Sequence, residues 1–233
     1  MKKIVAIIPA RGGSKRIPKK NIKAFCGKPM IGWPIDALRA SDLVSDVIVS
    51  TDSEEIKEVA EAYGARVPFV RPAALADDFT GTADVTKHAA QWYCDNVGKP
   101  DLFLTVYPTA VFLSADDLGK AVDRMTETNA EIVFSAAEFP FPIQRAVFLD
   151  GDDRALMFQP EHYYTRSQDL PKAYQDAGQF YLARAETALL AKPTFGPHTT
   201  MLVLPRHRVV DIDTMEDFEI AERLFRCSRS QFR

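Results

Sequence analysis

The sequence predicts an α/β fold, a mainly parallel sheet with helices on both faces. Over the first two-thirds of the chain, short β-branched apolar runs alternate with segments of helical period. Helix-starting and helix-ending residues punctuate that alternation, which marks βα units rather than a sandwich or a bundle. At 233 residues the chain is long enough for one domain with a full core.

"KIVAII" (Lys3–Ile8) reads as a buried strand stopped by Pro9, and "DVIVS" (Asp46–Ser50) as the next. Asp52 or Ser53 can then cap a helix with Ile56, Val59, Ala60 and Tyr63 on one face, which Gly64 ends. "RVPFV" (Arg66–Val70) is expected as a third strand, Thr82–Val97 as helix and "DLFLTVY" (Asp101–Tyr107) as strand. Ser114–Asn129 follows as a helix opened by a Ser114…Asp117 capping box, and "AEIVFSAA" (Ala130–Ala137) as another buried strand. After the segment 138–171, "GQFYLA" (Gly178–Ala183) and "RVVDID" (Arg208–Asp213) return to strand character. Thr214–Phe225 closes the domain as a helix with Thr214…Asp217 as a second capping box.

The segment 138–171 has no clear period. It is rich in aromatics and prolines, and "LDGDD" within it reads as a turn. It reads either as a surface hairpin or as an oligomer-forming arm, since its apolar side chains need covering. The domain therefore spans 1–233 with 138–171 as an insertion.

A hydrophobic share of 46% and a charged share of 26% suit a water-soluble globular protein. The net charge of −3 argues against a general nucleic-acid or membrane-surface binder, so a polyanionic partner must be small and met locally. Cys26, Cys94 and Cys227 form neither a disulfide framework nor a zinc pattern, which suits a reducing compartment. The apolar run after Lys2 and Lys3 is too short for a signal peptide's core, so a cytoplasmic location is expected. The four histidines lack partners at ligand spacing, and structural or surface roles are expected of them.

One stretch departs from this ordinary texture. From Arg11 to Lys28 the chain carries seven Lys or Arg and no acid, directly after its first strand. Cations crowded on one loop repel one another by roughly 4 kcal/mol per pair at ~4 Å and an effective dielectric of ~20, unless an anion joins them. Gly12 and Gly13 are expected to allow unusual backbone angles and a close approach of N–H groups to that anion. The loop lacks the spacing of a Walker A motif, and Pro18 and Asn21 break the helix that a dinucleotide fingerprint would open. What remains is a nucleotidyltransferase-type loop around a triphosphate. Asp211 and Asp213, two apart on an expected strand, would face one way and offer hard oxygens to Mg²⁺, or to another divalent ion such as Mn²⁺. Alternatively one of them caps the helix that follows.

With these residues in view, the chain resembles the acylneuraminate cytidylyltransferases, the CMP-sialic acid synthetase family. The likeness rests on "IPARGGSKRIPKKN", "VSTDSEEI", "FVRPAALADD" (Phe69–Asp78), "YPTA" and "DIDTMEDFEIAE", in order along nearly the whole chain. Within the family, "FPIQRA", "TRSQDL" and "DAGQFY" are similar to the branch that acts on pseudaminic acid. The resemblance implies a Rossmann-like nucleotidyltransferase sheet of the nucleotide-diphospho-sugar transferase type, with 138–171 as a dimerisation arm of a homodimer. It implies that CTP and a nonulosonic acid, most closely pseudaminic acid, become a CMP-sugar and pyrophosphate, with no nucleic-acid or membrane partner. Sialic or legionaminic acid, or more remotely a sugar phosphate, are the alternative acceptors. It further implies a catalytic set of Arg11, Lys15, Lys20 and Asp211. CTP would be bound by Arg11, Gly13, Ser14, Lys15, Lys20, Asn21, Arg71, Thr80 and Thr82, the two threonines being equally readable as helix caps. Tyr107, Gln144, Arg166, Asp176, Gln179 and Tyr181 would face the sugar, with Arg166 on its carboxylate from either subunit, while Gln179 reads equally as a solvent-facing strand residue. Val111 departs from the "YPTAPF" that is usual in the family.

Overall fold

The computed structural model describes residues 2–77 and 79–230, which leaves Asp78 of the "FVRPAALADD" segment outside. In chain order the elements are β1 (Ile4–Pro9), a small hairpin of β2 (Ala24–Phe25) and β3 (Lys28–Pro29), α1 (Gly32–Arg39), β4 (Val44–Ser50) and α2 (Glu54–Ala62). Then come α3 (Thr82–Asn96), β5 (Leu102–Val106), α4 (Ala115–Thr128) and β6 (Ile132–Glu138). A second hairpin, β7 (Val147–Leu149) and β8 (Ala155–Met157), precedes β9 (Tyr174–Arg184), α5 (Ala185–Leu189), β10 (Thr199–Val203) and α6 (Met215–Ser230).

Six strands form one sheet in the order β10-β6-β9-β5-β1-β4. β1 runs parallel to β4 and β5, and β10 parallel to β6, whereas β9 is antiparallel to both its neighbours. The reversal follows from the inserted segment. It leaves the sheet where β6 ends and returns beside it, with Phe139 N–H bonded to Ala173 O at 3.0 Å, so the chain re-enters from the carboxyl edge.

Strict alternation in β1 sends side chains to two cores. Ile4, Ala6 and Ile8 pack with Ile35, Leu38 and Leu118, while Val5 and Ile7 pack with Ala89, Tyr93 and Phe103. A third apolar cluster lies beyond the carboxyl edge, where Ile17, Phe25, Met30, Phe112, Ile212, Phe218 and Phe225 bury one another. Phe25 stands edge-on to both Phe218 and Phe225, with centroids 5.4 Å away in each case. Burial of each such side chain stabilises by about 1.5–3 kcal/mol. This cluster has a positional consequence. Ile17 belongs to the basic loop and Ile212 lies between the two aspartates, so burying both brings those distant segments together.

The strand–helix alternation and both capping boxes are present, at Ser114–Asp117 and at Thr214–Asp217. Two expected strands are not formed. Arg66–Val70 makes only single bridges, Arg66 to Ile48 of β4 and Val70 to Thr51 just after it, because Pro68 has no N–H to continue a ladder. Arg206–Arg208 is a 3-10 turn and Val209–Asp213 has no strand partner. Its carbonyls are met by side chains instead, Gln179 on Arg208 O at 2.6 Å and Lys20 on Ile212 O at 2.7 Å. Sequence pattern did not show α1, the short helix α5 or the edge strand β10.

The 138–171 insertion carries the β7–β8 hairpin between 3-10 turns. It leaves Phe141, Val147, Leu149, Phe158 and Tyr164 exposed, the last at 93%.

Candidate functional site

The basic loop leaves β1 at the carboxyl edge and folds over a cavity of about 430 Å³. Arg11, Ser14, Lys15, Arg16, Lys20 and Asn21 line it, together with Tyr107 and Asp213. That volume is in the range of small-molecule sites. Glycine acts here differently from expectation. Neither Gly12 nor Gly13 takes a positive φ, and the freedom used is one of approach. The Gly12 amide donates to Asp52 Oδ1 at 2.8 Å, and a Cβ at Gly12 would lie 3.0 Å from the Ser53 Cβ. A Cβ at Gly13 would meet nothing within 4 Å. Asp52 thus pins the loop, and Ser53 caps α2 through its hydroxyl.

The remaining polar groups of the loop are committed in specific ways. Asn21, buried, donates from Nδ2 to Arg11 O at 2.9 Å, and its own carbonyl accepts from Ile31 N–H at 2.8 Å. It closes the neck of the loop while lining the cavity. Arg11 Nη1 donates to Asp77 O at 2.8 Å, which joins the loop to the segment before α3. In that segment Thr80 Oγ1 donates to Asp77 Oδ1 at 2.7 Å. Arg71 is buried, with its guanidinium on the Ser50 hydroxyl at 3.1 Å and on the Ser50 carbonyl. Loss of hydration lowers its pKa, and the nearby Arg11 adds to that, against Asp52. Arg71, Thr80 and Thr82 therefore form a second wall joined to the cavity through Arg11, without lining it. Thr82 is the first residue of α3, whose cap is Gly81, and its hydroxyl pairs with the Tyr107 hydroxyl at 3.2 Å.

Asp213 lines the same cavity, and Asp211 neighbours Asp213 without lining the cavity. Asp213 Oδ1 is held by Arg16 Nη2 at 2.9 Å and by Lys20 Nζ at 3.2 Å. The Asp211 carboxyl has its pKa raised, first by loss of hydration and then by the neighbouring Asp213 charge, with Lys20 and Arg16 opposing. Two adjacent carboxylates of this kind fit a hard divalent cation. Among the described residues no group of three or more His, Cys, Asp or Glu is arranged as a metal cage, so phosphate or water oxygens would have to complete the shell. Of the alternatives for this pair, helix capping falls to Thr214, with Asp217 as its reciprocal partner.

Tyr107 also borders a second cavity of about 320 Å³, lined by Thr82, Thr86, Tyr181, Thr187 and Thr194 among others. The Tyr181 ring meets Tyr107 edge-on at 5.8 Å, and its hydroxyl donates to Asp176 Oδ2. Loss of hydration pushes the Tyr181 pKa well above the phenol range, with Tyr107 adding to it. Gln179 does not face solvent. It is 3% exposed, its Nε2 is given to Arg208 O, and its Oε1 has no hydrogen-bond partner. Gln144, at the base of the insertion, is likewise buried, with Nε2 on Pro171 O at 3.2 Å and an unpartnered Oε1. Arg166 lies apart from both cavities. Its side chain is 70% exposed in the insertion and is paired in fork fashion with Asp169 at 2.7 and 3.1 Å.

Three residues of the site escaped the sequence reading: Asp52 under Gly12, Arg16 on Asp213, and Arg208. The Arg208 guanidinium binds the buried Asp117 carboxylate and Phe112 O, the latter at 2.9 Å. Arg16 was visible as one more base in the run. The other two are tertiary contacts that no local pattern announces. Of the histidines, His88 stacks edge-on against Phe69 at 4.9 Å, and His198 Nε2 pairs with Pro193 O at 2.9 Å. His162 and His207 lie in 3-10 turns.

Known proteins resemble this chain in sequence and in fold. The sequence profile of the cytidylyltransferase family matches residues 5–232. A pseudaminic acid cytidylyltransferase of Campylobacter jejuni is 43% identical, over 96% of this chain and 97% of that one. A CMP-N,N'-diacetyllegionaminic acid synthase of Legionella pneumophila is 32% identical, over 95% and 96%. An N-acylneuraminate cytidylyltransferase of Escherichia coli is 32% identical over 94% of this chain, matching 51% of its own length. Among solved structures, a CMP:2-keto-3-deoxy-manno-octonic acid synthetase complexed with CTP superposes with a TM-score of 0.68 at 18% identity, covering 97% of this chain and 99% of that one. A 4-diphosphocytidyl-2C-methyl-D-erythritol synthase from Anaerococcus prevotii gives 0.66 at 15% identity, over 97% and 96%. Both agree in fold.

Proposed function

The chain belongs to the cytidylyltransferase family, and on that premise we propose that it activates a nine-carbon 2-keto sugar acid, pseudaminic acid, by reaction with CTP. The observation that carries the reading is the cavity beneath the basic loop, lined by Arg11, Lys15, Arg16, Lys20 and the Asp213 carboxylate, with Tyr107 shared between it and a second cavity. The 43% identity to the Campylobacter jejuni protein favours pseudaminic acid over the acids named for the relatives at 32%.

In this reading Arg11, Lys15 and Lys20 receive the triphosphate, together with the backbone around Gly13 and Ser14. Charge that builds on the phosphates during transfer is met by these cations and amides. Asn21 keeps the loop closed, while Arg71, Thr80 and Thr82 form the wall beside the cytidine. The sugar lies beyond Tyr107, against Tyr181 and the Asp176 carboxylate that Tyr181 holds, while Gln179 and Gln144, whose Oε1 atoms are buried without partners, would turn to meet its hydroxyl or amide groups. The anomeric hydroxyl forms the new bond to the α-phosphorus as the bond to the leaving pyrophosphate breaks. One carboxylate of the Asp211–Asp213 pair is placed to take the hydroxyl proton in this reading. Mg²⁺ or Mn²⁺ held by Asp211 and Asp213 would supply Lewis-acid polarisation of the phosphate oxygens.

The exposed apolar residues of 138–171 support a homodimer in which each arm covers, and is covered by, a second copy. Arg166 would then serve the sugar carboxylate of the partner's site, where its fork geometry suits that group. No described helix is long and apolar enough to cross a membrane, in keeping with a cytoplasmic enzyme.

The test is a panel of free nonulosonic acids with CTP and Mg²⁺, scored by pyrophosphate release and by mass of the CMP adduct. Turnover is expected with pseudaminic acid and much less with sialic or legionaminic acid. Turnover confined to sugar phosphates would overturn the proposal.

A further inference from the structure

The structure shows an arrangement that the reaction as described does not use. Arg16 and Lys20 converge on the same oxygen of Asp213, at 2.9 and 3.2 Å, and both bases line the cavity proposed for the triphosphate. Lys20 is further fixed by Ile212 O at 2.7 Å. The two acids and two bases therefore balance in charge when nothing is bound. A divalent cation approaching Asp213 in this state meets two positive groups on the oxygen it would ligate, and displacing them is unfavourable unless another anion receives them. The phosphates of a nucleotide are such an anion.

Resting on the function proposed above, we propose that Arg16 is a further positioning residue of the reaction. With Lys20 it holds Asp213 until nucleotide phosphates draw the bases away, so the protein takes up its divalent cation after, or together with, the nucleotide and poorly before it. Arg16 touches Asp213 now and phosphate later. Its effect on the metal is exerted through the carboxylate it releases, and its exposed side chain, 66% accessible, is free to make that move.

The probe is Mn²⁺ alone, titrated into the whole nucleotide-free protein and followed by the electron paramagnetic resonance signal of the free ion. Arg16→Ala is expected to bind Mn²⁺ roughly two- to fivefold more tightly than the native chain, the range for one partly exposed ion pair, and Arg16→Lys to stay near native. An Arg16→Ala affinity equal to or weaker than native overturns the proposal. CTP binding measured by calorimetry with EDTA present is the second readout. Arg16→Ala should weaken it severalfold, and an unchanged affinity overturns the transfer of Arg16 to phosphate. Asp213→Ala separates the two levels of the argument. If it binds Mn²⁺ as the native chain does, the metal reading itself fails. If it loses Mn²⁺ while Arg16→Ala behaves as native, only the role of Arg16 fails.

Discussion

Asp117→Ala should be among the most destabilising single changes away from the cavity, and its cost can be worked from the structure. The carboxylate is 2% exposed and has two tasks. It accepts from Ser114 N–H at 3.1 Å and from the Ser114 hydroxyl at 2.6 Å, completing the box that starts α4. It also holds both ends of the Arg208 guanidinium, Nη1 at 3.2 Å and Nη2 closer. Losing the reciprocal cap costs about 1 kcal/mol. Removing one partner of a buried ion pair costs about 3–5 kcal/mol, because the other charge is left without compensation. Arg208 retains partial access to water, at 23%, so the lower end applies, for a total of about 4 kcal/mol. Against a typical stability of about 5–15 kcal/mol that is a large share. With a urea m-value of about 2–3 kcal/mol per molar, the midpoint should fall by more than about 1 M. Activity should fall too, since Arg208 O receives Gln179 and the chain runs from Arg208 directly into Asp211. The assay is urea unfolding followed by circular dichroism, for Asp117→Ala, Arg208→Ala and the double variant that combines them. A midpoint shift under about 0.3 M for Asp117→Ala, or strictly additive singles, would refute the assignment of this pair as a coupled unit.

The two glycines of the loop should separate by mechanism. Gly12→Ala, whose Cβ would crowd Ser53 at 3.0 Å, should lower the melting temperature by a few degrees and weaken CTP binding, whereas Gly13→Ala should leave melting unchanged and weaken CTP alone. Equal melting losses for the two would contradict the close-approach argument. Glu131 offers a pH test. Its pKa is lowered, first by the Lys192 hydrogen bond at 2.6 Å and then by Thr187 at 2.9 Å. The sign follows directly: stability from Glu131 is present above the unfolded-state value of about 4.3 and disappears as pH falls through the lower folded value. Glu131→Gln should therefore melt below the native chain at neutral pH and converge with it in acid; a gap of constant size across that range would refute the linkage.

What the sequence disclosed, and what it hid, divides along a physical line. β1, α2, α4 and the capping boxes were legible because period and caps are local properties of consecutive residues. The direction of β9 was hidden, since it depends on where a long insertion returns to the sheet. The Arg66–Val70 strand was over-read, β-branched residues outweighing the missing N–H of Pro68. In the site, the basic run was legible from charge alone. The spacing argument for Asp211 and Asp213 rested on a strand that is not formed, and the segment is instead placed by the burial of Ile212. The commitment of Arg71 to Ser50 and of Arg166 to Asp169 was not legible, because a formal charge says nothing about which neighbour already holds it.

That last point bears on how a slightly acidic chain can handle a highly anionic nucleotide. Total charge is a poor guide, because what an approaching phosphate meets is the local set of groups and their present partners. Ile17 and Ile212 are both fully buried in one apolar cluster, so the hydrophobic effect, which ignores charge, brings the basic loop against the acidic segment. The ion pairs of Asp213 with Arg16 and Lys20 then follow from apolar packing rather than from electrostatic attraction acting at a distance. Weakening that packing should consequently separate the charges. Ile212→Ala removes a fully buried side chain, at about 2–5 kcal/mol, and should loosen the acids from the bases together with α6. Arg16→Ala, by contrast, should leave the cluster and its melting transition as they are while changing only the response to cation and nucleotide. If both variants altered melting to the same degree, the charges rather than the isoleucines would be holding the site together.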